Sequence, residues 1–103
     1  MSNDNDIRME FEYKGRSQKE MVKRFKRRIA SLKNEYGHEI KGLKENWNGS
    51  TGNFSFVCRY SRVYASLIVE PSEVKFSIRN LPFMTDLGRI RHTIGAEIEA
   101  LLC

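Results

Sequence analysis

The chain has 103 residues, and its 18 lysines and arginines outnumber its 13 aspartates and glutamates to give a formal net charge of +5. That length suits one domain that buries a modest core without covalent staples, and an apolar content of 40% argues against disorder. No apolar run of about 18 residues is present, so no spanning helix is expected, and the N-terminus lacks the apolar stretch of a secretory leader.

Residues 1–6 are polar and are expected to form a loose tail, leaving residues 7–103 as a single domain. Ile7, Met9, Phe11 and Tyr13 alternate with Arg8, Glu10 and Glu12, the period of a strand with one buried face. Lys14-Gly15-Arg16 reads as a turn. Ser17 followed by Glu20 fits a capping box, so a helix is expected from about Gln18. Gly37 predicts a left-handed stop. A second strand is expected between His38 and Trp47, with Gly42 marking a bulge, and Asn48 to Gly52 reads as a loop.

The next three segments read as a meander. Phe54, Phe56, Cys58 and Tyr60 alternate on one strand, Val63, Ala65, Leu67 and Val69 on the next, and Val74, Phe76 and Ile78 on the last. A two-residue turn at Ser61-Arg62 would oppose Tyr60 and Val63; one at Pro71-Ser72 would oppose Val69 and Val74 and make Glu70 face Glu73. A second helix is expected after Leu81-Pro82, capped by Thr85 or Asp86, with Phe83, Leu87, Ile90, Ile94, Ile98 and Leu101 as its apolar stripe. Two helices with one apolar face each and four to five strands predict an α+β domain. Both helices pack on one face of an antiparallel sheet, in the order β-α-β-β-β-β-α.

Charge is concentrated in the first helix. Lys14 to Lys33 holds nine basic residues and one acid, a net +8, so the remainder of the chain sums to −3. At about 100° per residue, Met21, Leu32, Phe25, Tyr36, Ile29 and Val22 share an arc of roughly 100°, and every basic residue from Lys19 onward lies outside it. Lys19, Lys23, Lys26, Arg27 and Lys33 are the expected electrostatic footprint, pointing to an acidic partner: an anionic surface, an acidic protein or nucleic acid.

The order of elements resembles that of the small bacterial polyhydroxyalkanoic acid system proteins. So do the Trp47-Asn48-Gly49 turn before a Phe-rich strand, the run Val69-Glu70-Pro71-Ser72-Glu73-Val74, the Leu81-Pro82 lead-in and the Ile94, Ile98, Leu101 helix. The resemblance covers about residues 7–102. It implies a cytoplasmic protein similar to those found with polyhydroxyalkanoate granule genes, with no established active site to carry over.

No catalytic motif stands out. His38 follows a helix stop, His92 lies off the apolar stripe, and neither has a Cys, Asp or Glu at ligand spacing, so no metal or other cofactor is expected. Cys58 has core parity and Cys103 is the last residue; both are expected as reduced thiols. Arg91 falls beside the apolar stripe of the second helix, where it either snorkels outward or meets an anionic head in a pocket near Trp47. Val57, Tyr64 and Ile68 lie on the parity opposite the core, and a patch there or a free edge strand would favour a homodimer. The leading expectation is a non-enzymatic domain that associates with a granule or other anionic surface through its first helix. The alternatives are a nucleic-acid-binding module using the same residues, and a binder of a small amphiphile between the sheet and the second helix.

Overall fold

The computed structural model describes residues 6–37, 41–82 and 85–102. Its elements follow the order β1 (Ile7–Glu12), α1 (Gln18–Tyr36), β2 (Lys41–Asn48), β3 (Thr51–Cys58), β4 (Ser61–Val69), β5 (Glu73–Arg79) and α2 (Leu87–Leu102). The strands form one antiparallel sheet in the order β1-β5-β4-β3-β2. This is the expected α+β architecture. No described helix is long and apolar enough to cross a membrane.

Both helices cover the same sheet face. One cluster joins Met21, Val22 and Phe25 of α1 and Ile98 of α2 to Leu67, Val69, Val74 and Tyr13. A second gathers Ile7, Val63, Ile78 and Leu81, with Leu87 and Ile90 of α2 packed against it. The start of α1 is tied down by its cap, where the Glu20 N–H donates to Ser17 Oγ at 3.1 Å. The Gln18 side-chain amide also donates to the Val69 carbonyl at 2.8 Å. The Glu20 carboxylate lies 3.2 Å from the Arg16 guanidinium. On α2 the choice of cap falls to Asp86, whose Oδ1 accepts from the Arg89 N–H at 3.1 Å.

The β4–β5 hairpin has the expected register, with Val69 opposite Val74. The Glu70–Glu73 repulsion is relieved by Lys75, whose Nζ lies 3.4 Å from one carboxylate and 3.5 Å from the other. The Gly42 bulge is present as a register shift between Lys41 and Lys44, with Gly42 at φ +61.

Three expectations need correction. The β3–β4 turn is at Arg59-Tyr60, with φ of 49 and 70, so Cys58 opposes Ser61 and Phe56 opposes Val63. Tyr60 is therefore fully exposed, not core-facing. This pairing sets Phe54 against Ala65 and Gly52 against Leu67, large side chains opposite small ones, which the expected turn would not do. The Asn48 to Gly52 loop shrinks to Gly49-Ser50, because Asn48 already pairs with Thr51. Gly37 is right-handed, at φ −58 and ψ −22. What requires glycine there is proximity, since a Cβ would stand 2.9 Å from the Lys33 carbonyl. His38, Phe83 and Cys103 lie outside the described residues.

Candidate functional site

The sequence of α1 carries one apolar stripe along its whole length, but the fold buries only its first half. Met21, Val22 and Phe25 are at most 8% exposed, whereas Ile29 and Leu32 are half-buried and Tyr36 is 43% exposed. Two contacts fix how α1 meets α2. The Arg24 guanidinium donates to the Leu101 carbonyl at 3.0 Å, and Arg28 grips Glu97 through both carboxylate oxygens at 2.7 and 2.8 Å. Later residues of α1 thus meet earlier residues of α2, the pattern of an antiparallel pair.

Between the helices the sheet is not fully covered. A cleft of about 510 Å³ lies there, walled by Phe25, Ile29, Leu32 and Tyr36 of α1 and by Ile94, Ile98 and Leu101 of α2. Its floor is Leu43 of β2, Phe54 and Phe56 of β3, Ala65 and Leu67 of β4, and Phe76 and Ile78 of β5. Arg28, Lys33, Thr93 and Glu97 are its polar lining residues. The volume falls within the roughly 300–1,000 Å³ of small-molecule sites. At about 30 Å³ per molecule it equals the liquid share of some 17 waters. Those waters would face walls offering few hydrogen bonds, so an apolar guest would displace them favourably.

The polar rim is held in its ionised form. Hydrogen bonds from Arg28 keep the Glu97 carboxyl below its ordinary value against the opposing effect of burial. The Arg28 guanidinium, bonded to Glu97 and also 3.1 Å from Glu35, is pushed further up. For Glu45, burial pushes the carboxyl up, but hydrogen bonds from Lys33 and from the Trp47 indole, each at 2.7 Å, outweigh it and the net shift is down.

The five expected footprint residues, Lys19, Lys23, Lys26, Arg27 and Lys33, are all exposed on α1. They do not act alike. Lys33 is diverted to Glu45, and the Lys26 ammonium sits 5.2 Å from the centre of the Trp47 ring. Lys19, Lys23 and Arg27 have no ion pair with any carboxylate among the described residues.

The pair expected to mark a ligand pocket does not line the cleft. Trp47 packs edge-on against Phe54, with ring centres 5.8 Å apart, and is capped by Lys26. Arg91 snorkels: it is exposed and donates to the Arg8 carbonyl at 3.3 Å, along the outer edge of β1. A pocket beside α2 exists, but its walls are Ile29, Leu32 and Tyr36, residues first read as core. The signal that could have found them is the persistence of the α1 stripe past the point where Phe25 already reaches the core. On the open sheet face, Tyr64 is 43% and Ile68 36% exposed, with Ser66 between them along β4, and Val57 is half-buried.

The chain matches no protein-family model, no curated protein and no solved structure. The resemblance to polyhydroxyalkanoic acid system proteins rests on the sequence features alone.

Proposed function

We propose that this domain binds a small amphiphile, holding its apolar part in the cleft between α1, α2 and the sheet. The observation that carries this reading is the cleft itself: about 510 Å³ of space with phenylalanine and aliphatic walls, open at a rim of four polar residues. The role is binding without chemistry. Cys58 is packed against the aliphatic cluster of Ile7, Val63, Ile78 and Leu81, and His92 is exposed on the outside of α2. The resemblance noted above adds a polyhydroxyalkanoate granule boundary to the places where such an amphiphile would be met.

A ligand of about 20 non-hydrogen atoms at roughly 0.3 kcal/mol each gains about 6 kcal/mol, a dissociation constant in the tens of micromolar. Calorimetric titration with a single-chain amphiphile below its micellar concentration should show one saturable site and a negative heat-capacity change. Leu32→Asp, which places a carboxylate in the α1 wall, should remove it. Absence of saturable binding, or equal binding by Leu32→Asp, rejects the reading.

A further inference from the structure

The same helix that walls the cleft carries, on another flank, cations that no carboxylate among the described residues pairs. At about 100° per residue from Met21, the cleft residues Leu32, Phe25, Tyr36 and Ile29 fall near 20°, 40°, 60° and 80°. Lys26, Lys19, Lys23 and Arg27 follow at roughly 140°, 160°, 200° and 240° on the same cylinder. We infer that this basic stripe docks the domain on an anionic lipid surface, the source from which the cleft takes its amphiphile. The inference rests on the amphiphile reading for its ligand and on the α1 charges for its partner.

Three observations select lipid. First, the chain has spent its carboxylates selectively: Arg28 is held by Glu97 and Glu35, and Lys33 by Glu45, while Lys19, Lys23 and Arg27 face outward without one among the described residues. Exposed cations that no carboxylate among the described residues neutralises attract an extended anionic surface. Second, the aromatics near it are engaged elsewhere: Lys26 sits 5.2 Å over the Trp47 ring, and Tyr36, 43% exposed, lines the cleft. Third, the same helix walls a cleft lined mainly by phenylalanine and aliphatic side chains, which suits an apolar guest; a lipid surface is a reservoir of such guests and a nucleic acid is not. The apolar residues of α1 are occupied by the core and the cleft, so the helix adsorbs by charge and does not insert.

The test uses the whole chain and phosphatidylcholine vesicles with and without phosphatidylglycerol, read by co-sedimentation at low and physiological salt. Binding should require phosphatidylglycerol and weaken with salt. Each cation contributes roughly a 5-fold gain near such a surface, so Lys23→Glu with Arg27→Glu should lower partitioning by more than about 25-fold. Both positions are exposed, so circular dichroism should show an unchanged fold. Binding of the uncharged dye Nile red in solution should also be unchanged in this variant, because neither residue lines the cleft. Conversely, a variant with a filled cleft should lose Nile red and still sediment with anionic vesicles. Equal binding to neutral and anionic vesicles, or wild-type partitioning by the double variant, overturns the inference and leaves the cleft reading standing. Retention by single-stranded oligonucleotides at a salt concentration where vesicles release the protein also overturns it, in favour of nucleic acid. Loss of Nile red binding in the wild type rejects the cleft and leaves the docking intact.

Discussion

Filling the cleft from below separates a ligand site from an ordinary core. Ala65 lies on its floor, opposite Phe54 on one side and Ile78 on the other. Ala65→Ile adds three carbons pointing into the space. At about 0.8 kcal/mol per buried methylene the gain is at most about 2.4 kcal/mol, and an open cleft halves it to roughly 1 kcal/mol. A β-branched residue also suits a strand better than alanine, by a few tenths of a kcal/mol. In a filled core the same three carbons would cost about 1–3 kcal/mol through displaced neighbours. The two pictures therefore differ in sign. Urea unfolding followed by the fluorescence of Trp47, the sole tryptophan, should show a midpoint raised by roughly 0.5–1 M with an unchanged slope. Nile red binding should fall together with the rise in stability. A lowered midpoint, or a stabilised variant that still binds the dye as the wild type does, would refute the existence of usable space between α1 and α2.

Gly52 is the position where Trp47 needs an absent side chain: an added Cβ would lie 2.9 Å from both the Trp47 and Phe54 rings. Gly52→Ala should cost about 1–3 kcal/mol in urea unfolding and shift the Trp47 emission as the indole is pushed off β3. Tyr60→Gly should act the other way. Tyr60 holds φ +70 in the β3–β4 turn and its side chain is wholly exposed. Removing the left-handed penalty, less the extra chain entropy of glycine, should leave about 0.5–1 kcal/mol of stabilisation by the same assay. Acid should weaken the domain through Glu97 and Glu45, whose carboxyls titrate below their ordinary value of 4.5 when folded. The unfolded chain then binds more protons than the native one, so this contribution is complete at neutral pH. It is lost as pH falls below about 4.5 through the folded values. Glu97 is 40% exposed, so Glu97→Gln should flatten a thermal-melting profile over that range by only a few tenths of a kcal/mol.

Much of the sheet was legible because hydrophobic parity is robust to slippage by two. The strand faces, the Val69–Val74 pairing and the Gly42 bulge follow from alternation and turn chemistry alone. The β3–β4 register was not, for the same reason. Moving the turn from Ser61-Arg62 to Arg59-Tyr60 keeps every strand residue of core parity but Tyr60 on the core face, so alternation cannot choose between them. Side-chain volume across the pair chooses, and it overrides the reluctance of Arg59 and Tyr60 to adopt positive φ. For Arg91 the outward of the two readings holds, and a helical wheel gives direction around one axis, not distance to the neighbouring helix. The cleft depends on that distance.

A sheet of five strands at about 4.8 Å spacing spans some 19 Å between its outer axes, which two helices of about 10 Å diameter could cover if they lay side by side. The cleft is therefore not forced by a shortage of helix. It lies between helices joined to each other by Arg24–Leu101 and Arg28–Glu97. Ile29, Leu32 and Tyr36 nevertheless continue the stripe begun by Met21, Val22 and Phe25. Were this second half a solvated extension, polar residues would serve better there: each apolar side chain left in water forgoes about 1.5–3 kcal/mol of burial. On the amphiphile reading proposed above, the ligand completes this half-buried face. Arg28, shared between Glu97 on the opposite helix and Glu35, the next-to-last residue of its own, stands where the buried half of α1 gives way to that half-buried face.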